Sequence, residues 1–141
     1  MNATLKRQVI KATNSDVPII LVVEDEPDNL LLICHILIYL NYNFICAKKG
    51  QDALDLATNY DIDLVLLDLV LPDINGFEII NRLKKHIATK NMPIVAVSAL
   101  VQPRERDRAY AAGCDDYLRK PYLINDLKRK IKQHLPSSFF E

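Results

Sequence analysis

Glu24, Asp25, Asp68, Ser98 and Lys120 are the residues of this chain whose types and placement point to chemistry. Each follows a short apolar run: IILVV leads into Glu24, Asp25 and Glu26, LVLL into Asp68, IVAV into Ser98, and DYL toward Lys120. In an open parallel sheet, ligands bind beyond the carboxyl ends of the strands, so these side chains are expected at one edge. Carboxylates brought together there repel one another, and a hard divalent cation relieves that repulsion. Mg2+ suits the set because it takes carboxylate, carbonyl and water oxygens and shares a phosphate oxygen. A lysine and a hydroxyl in the same pocket are suited to holding an arriving anion. The combination describes a site that receives a phosphoryl group: Mg2+ neutralises charge on the moving group, Lys120 and Ser98 take its oxygens, and Asp68 attacks as nucleophile to give an acyl phosphate. Singly, each residue has a plainer role: Glu24 and Asp25 favouring a helix start, Asp68 closing a turn, Ser98 bonding local backbone, Lys120 in solvent.

Five β-rich runs position these residues: Ile19 to Val23, Asn43 to Ala47, Leu64 to Leu67, Ile94 to Val97 and Asp116 to Leu118. Each is separated from the next by a stretch long enough for a helix, which predicts a parallel sheet. The first, third and fourth runs are apolar at consecutive positions, as strands covered by helices on both faces require, and belong at the centre of the sheet. Helix punctuation agrees. Pro27, with Glu26 and Asp28, suits a first turn, Pro103 opens RERDRAYAA, and Gly113 closes it as a left-handed cap. Leu123, Leu127, Ile131 and Leu135 form the apolar stripe of a last helix, with Lys128, Arg129, Lys130 and Lys132 as its solvated face.

With 141 residues, half of them hydrophobic, the chain fits one core. Eighteen basic residues balance eighteen acidic ones, which leaves no net field to hold nucleic acid or an anionic membrane. Cys34, Cys46 and Cys114 lack a C-x-x-C pairing and read as small buried hydrophobes in a reducing compartment. His35, His86 and His134 show no zinc spacing. The N-terminus lacks the continuous apolar stretch of a secretion signal, and the longest apolar run, Leu30 to Leu40, is too short to cross a bilayer, so a cytoplasmic location is expected. Residues 1–17 read as an N-terminal arm, 18–135 as the domain and 136–141 as a C-terminal tail.

The segments ILVVEDEPDN, GQDAL, DLVLLDLVLPDINGFE, PIVAVSA and AAGCDDYLRKP resemble the receiver domains of two-component response regulators, over Ile19 to about Leu135. The resemblance implies an α/β fold: a doubly wound, five-stranded parallel sheet of flavodoxin-like receiver type, with strand order 2-1-3-4-5 and helices on both faces. It implies that Glu24, Asp25, Asp68 and the backbone carbonyl of Val70 hold Mg2+, that Asp68 is the phosphoacceptor, and that Lys120 contacts the phosphate before a cis bond to Pro121. Ser98 and Tyr117 would be the switch pair. The implied donor is a histidine kinase or histidine phosphotransfer protein, the output an unidentified downstream protein, and the chain a stand-alone receiver. Glu24 stands where aspartate is common and Ser98 where threonine is common, and both keep the required oxygen. Val70 and Leu100 are apolar at positions flanking the site where faster-hydrolysing members often carry polar groups, so slow loss of the phosphoryl group is expected.

The first helix is apolar nearly all round. Leu32, Ile33, Ile36, Leu37 and Leu40 are expected to meet the sheet, leaving Leu30, Leu31, Cys34, His35, Ile38 and Tyr39 as an outer face for the phosphodonor or a second copy of the chain. The plain alternative is that the arm covers that face. Two other functions compete: a receiver-like interaction module that works without phosphorylation, and a Mg2+-dependent aspartyl-phosphate phosphatase. The complete set of site residues speaks against the first, and Val70, where such phosphatases typically carry a second aspartate, against the second.

Overall fold

The computed structural model describes residues 17–99 and 102–136. Five strands alternate with five helices: β1 (Ile19–Val23), α1 (Pro27–Tyr39), β2 (Asn43–Ala47), α2 (Gly50–Asn59), β3 (Leu64–Leu67), α3 (Gly76–Lys85), β4 (Ile94–Ser98), α4 (Pro103–Ala112), β5 (Asp116–Arg119) and α5 (Ile124–His134). Every ladder is parallel, and the sheet order is β2-β1-β3-β4-β5. This is the doubly wound arrangement expected, with β4 and β5 each one residue longer than the sequence pattern suggested. The arm before Val17, the tail from Ser137 and the Leu100 position lie outside the described residues.

Alternate side chains of the central strands feed two apolar layers. Leu21, Val23, Val65, Leu67, Ile94 and Ala96 face α2, α3 and α4, while Ile20, Val22, Leu64, Leu66, Val95 and Val97 face α1 and α5. Continuous apolar runs are therefore a requirement of the fold, since a polar residue in β1, β3 or β4 would be buried on either side. Gly113 caps α4 at φ 119°, in the left-handed region expected of it.

Helix α1 departs from the expected orientation. Its inward stripe is Leu30, Ile33, Cys34 and Leu37, joined by Ile36, so Leu30 and Cys34 belong to the core and not to the outer face. Leu32, expected inside, is 54% exposed, beside Leu31 at 55%, Ile38 at 44% and Tyr39 at 76%. A helix apolar on all sides carries no polar boundary from which its rotation can be read. Its start was legible: the Glu26 carboxylate accepts from the Asp28 and Asn29 amides at 3.2 and 2.7 Å, with Pro27 in the first turn.

Two further corrections concern α5. Leu123 is 71% exposed and precedes the helix, so the buried stripe is Leu127, Ile131 and Leu135. Lys130 is not merely solvated: its ammonium donates to Asp116 Oδ1 at 2.8 Å, and His134 Nε2 lies 2.8 Å from Asp116 Oδ2. Burial opposes the Asp116 charge, but the bonds from Lys130 and His134 outweigh it and hold the carboxyl below its usual pKa.

The loop from β3 to α3 carries Asp68 at one end and is fastened at three points. The Gly76 amide donates to Leu69 O at 3.1 Å, and the Asp73 carboxylate accepts from the Gly50 and Gln51 amides at 2.7 and 3.0 Å, capping α2 from another part of the chain. Gly76 permits the close approach, because a Cβ there would lie 2.4 Å from Leu69 Cα, a backbone atom with nowhere to go. Gly76→Ala is accordingly expected to cost about 2 kcal/mol of stability. Urea unfolding checks this through a lower midpoint at unchanged slope, and a midpoint equal to that of the parent chain contradicts it.

Candidate functional site

Backbone bonds tie the carboxyl ends of β2, β1 and β3 to one another, and that of β5 to β4, before any side chain is considered. Glu24 N donates to Ala47 O at 3.0 Å, Asp68 N to Val23 O at 2.9 Å, and Lys120 N to Ser98 O at 2.9 Å. These bonds extend the ladders one residue past the apolar runs, which places Glu24, Asp68, Ser98 and Lys120 side by side at one edge.

Among the described residues, one carboxylate oxygen from each of Glu24, Asp25 and Asp68 lies within 4.8 Å of the others. Lys120 reaches into this group. Its ammonium donates to Glu24 Oε1 and, at 3.2 Å, to Asp68 Oδ2. The second oxygens are held by backbone, Asp68 Oδ1 by the Val70 amide at 3.0 Å and Glu24 Oε2 by the Glu26 amide at 3.1 Å. Glu24 and Asp68 are buried, Asp25 is half-buried, and a cleft of about 360 Å³ opens above them between α1 and Pro121–Tyr122. The Lys120–Pro121 bond is cis.

Two buried carboxylates share one ammonium, and Asp25 adds a third negative charge. Burial, reinforced by the Asp68 charge, raises the Glu24 pKa against the pull of Lys120. For Lys120 burial works the other way, but the two carboxylates outweigh it and hold the ammonium above its ordinary value. Burial and the nearby Glu24 push the Tyr122 hydroxyl up to about 12. The net negative charge and the convergence of three hard oxygens fit a divalent cation such as Mg2+.

Of the residues expected at the site, Glu24, Asp25, Asp68 and Lys120 converge, and Ser98 closes β4 in full burial beside them. Glu26 does not join them, because its carboxylate caps α1. Val70 follows Asp68 with its side chain 59% exposed, and Tyr117 sits in β5, half-buried against the α2–α4 layer. Sequence reading missed the Asp116–Lys130–His134 network, whose one local signal is the four-residue step between Lys130 and His134 on α5.

A family model described as the response regulator receiver domain matches residues 20–132. The chain belongs to the response regulator receiver domain family. The phosphorylation switch is generic to that family. The receiver is 31% identical over 116 residues to the polar-differentiation response regulator DivK of Brucella ovis, across 82% of this chain and 94% of that protein. It is 35% identical over 116 residues to a probable cyclic di-GMP phosphodiesterase of Vibrio cholerae, but spans only 26% of that relative's length. Among solved structures it resembles the receiver domain of a sensor histidine kinase from Pseudomonas aeruginosa PAO1, with a magnesium ion in its active-site cleft, at TM-score 0.79 and 29% identity, covering 84% of this chain and 97% of that one. A CheY-like receiver from Methanospirillum hungatei matches at TM-score 0.79 and 28% identity, covering 86% and 96%. No described helix is long and apolar enough to cross a membrane.

The raised Glu24 pKa sets a pH dependence. Without a cation, the neutral form of Glu24 is favoured by folding, so its contribution to stability is present below the unfolded value of 4.5 and lost as pH rises through the folded one. A divalent cation favours the charged form, so proton and cation compete. Mg2+ is expected to bind more weakly at pH 5 than at pH 7, because the raised Glu24 pKa lets the proton compete with the cation as pH falls. Calorimetric titration at the two pH values checks this, and equal affinities contradict it.

Proposed function

We propose that this receiver is a signalling switch in which Asp68 accepts a phosphoryl group from a phosphohistidine of a histidine kinase or histidine phosphotransfer protein, in a Mg2+-dependent reaction that changes partner binding. The observation that carries this reading is the Asp68 carboxylate, fixed through Oδ1 by the Val70 amide and met at Oδ2 by the Lys120 ammonium 3.2 Å away. Such a carboxylate is held for attack at the open face of the cleft. An Asp68 oxygen forms the new bond to phosphorus, the phosphorus–nitrogen bond breaks, and its electron pair returns to the donor imidazole.

Glu24, Asp25, Asp68 and the Val70 carbonyl are the residues to hold the cation, which when bound supplies positive charge to the phosphoryl oxygens. Lys120 already stands at the reacting carboxylate and is suited to take one of those oxygens. Ser98, at the end of β4, is assigned a second. Phosphorylation would draw Ser98 toward the new group and let Tyr117 move inward, altering the surface of α4, β5 and α5 for a downstream protein. The chain's own chemistry is then limited to accepting the group and slowly losing it, since exposed, apolar Val70 offers no group to position an attacking water.

The corrected outer face of α1, formed by Leu31, Leu32, His35, Ile38 and Tyr39, is the surface we assign to the donor. It flanks the cleft, to which Leu32 contributes a wall.

After treatment with a small phosphodonor and Mg2+, intact mass is expected to show one phosphoryl group per chain, persisting for minutes or longer and absent in Asp68→Ala. Equal labelling of the variant, or decay within seconds, contradicts the reading. Leu31→Asn combined with Ile38→Asn is expected to weaken binding to the cognate donor by about tenfold while leaving labelling by the small phosphodonor intact. Unchanged donor affinity would reject the α1 assignment alone.

A further inference from the structure

Cys34 and Cys46 stand twelve residues apart in the chain and were not expected to meet, but their sulfurs lie 3.4 Å apart between α1 and β2. Both are buried, at 0% and 4% exposure, in the apolar layer beneath the cleft. Ile33, next to Cys34, and Val22, the register partner of Cys46 on β1, both line that cleft. The third cysteine, Cys114, is buried in the opposite layer.

We propose that Cys34 and Cys46 form an intrachain disulfide when the protein meets a peroxide, and that the bond staples α1 to β2 directly below the acidic site. The two sulfurs need to close only from 3.4 Å to about 2.0 Å. Contact offsets burial, because the resolving thiol is already in place when the first sulfur is oxidised, and hydrogen peroxide is small and neutral enough to enter when α1 opens locally. Either sulfur can donate the hydrogen bond between them, and Cys34 rides on α1, the element whose opening admits the peroxide, so Cys34 is the attacking sulfur.

The Cys34 thiolate attacks one peroxide oxygen, the oxygen–oxygen bond breaks, and the departing hydroxide takes the proton Cys34 released to leave as water. The Cys46 sulfur then attacks the Cys34 sulfenic sulfur, and the displaced hydroxide leaves with the Cys46 proton as a second water. Two thiols lose two electrons, and one peroxide becomes two waters. The position gives the bond its consequence. Ala47, which follows Cys46, accepts the Glu24 amide at 3.0 Å, and α1 begins directly after the acidic loop, so the staple restrains both sides of that loop.

The test uses the full native chain treated with hydrogen peroxide, then unfolded, alkylated and mapped by mass spectrometry, with hydrogen exchange measured on the same oxidised sample. The expected result is a peptide pair joined through Cys34 and Cys46, Cys114 recovered as a free thiol, and amide exchange across residues 33–37 slowed at least about tenfold. Cys34→Ser and Cys46→Ser should each abolish the joined pair, but the mapping on the unaltered chain stands without them. Three free thiols after a treatment that oxidises an exposed control thiol, a bond to Cys114, or stable sulfinic acid at Cys34 would overturn the proposal. A joined pair with unchanged exchange would overturn the restraint on α1.

Discussion

A single ammonium, that of Lys120, is shared by two buried carboxylates that enter from chain segments 96 and 52 residues away. Neither Glu24 nor Asp68 is stable in that position as an isolated charge, because removing one partner of a buried ion pair leaves an uncompensated charge at a cost on the order of 3–5 kcal/mol. The sheet order is what brings the three charges together. β1 and β3 must be neighbours for the carboxylates to meet, and β5 must return on the same edge for the lysine to reach them. The cluster remains net negative with Asp25 included, which is why it suits a divalent cation while Lys120 stays available to an anionic group.

Carboxylates elsewhere fasten the frame that holds this cluster. Asp63, just before β3, accepts the first amide of β1 at 2.8 Å, and Asp115, just before β5, accepts the first amide of β4 at 2.8 Å and the Lys84 ammonium at 2.9 Å. Glu26 caps α1, and Asp73 caps α2 from the loop that begins at Asp68. The acidic residues of this chain thus divide by location. Those at the amino edge and at the helix starts satisfy backbone amides that would otherwise lack partners. Those at the carboxyl edge, Glu24, Asp25 and Asp68, converge on one another. Positional context and not residue type separates scaffold from chemistry.

The fold was legible because the constraint that produces it is local. Strands buried on both faces must be apolar at consecutive positions, so β1, β3 and β4 declared themselves, and Pro27 and Gly113 marked helix ends through backbone restrictions that depend on one residue. The candidate cluster was legible because each member lies at a strand's carboxyl end or within two residues of it. What stayed hidden depends on rotation or on contacts between distant segments. The all-apolar α1 gave no boundary from which to tell Leu30 and Cys34, which face the core, from Leu32, which faces solvent. The meeting of Cys34 with Cys46, and of Asp116 with Lys130 and His134, depends on how helices settle against the sheet; the four-residue step puts Lys130 and His134 on one face of α5 without naming Asp116 as their partner.

The claim on which the chemistry rests is that the carboxylates at the ends of β1 and β3 together form one cation site. Soaking crystals with Mn2+ and locating it by anomalous scattering examines that claim without reference to any partner or donor. A single strong peak coordinated by Asp25 and Asp68, with Glu24 beside it, is the required result. Manganese bound elsewhere on the surface, with the Glu24–Asp25–Asp68 cluster empty at saturating concentration, would contradict it.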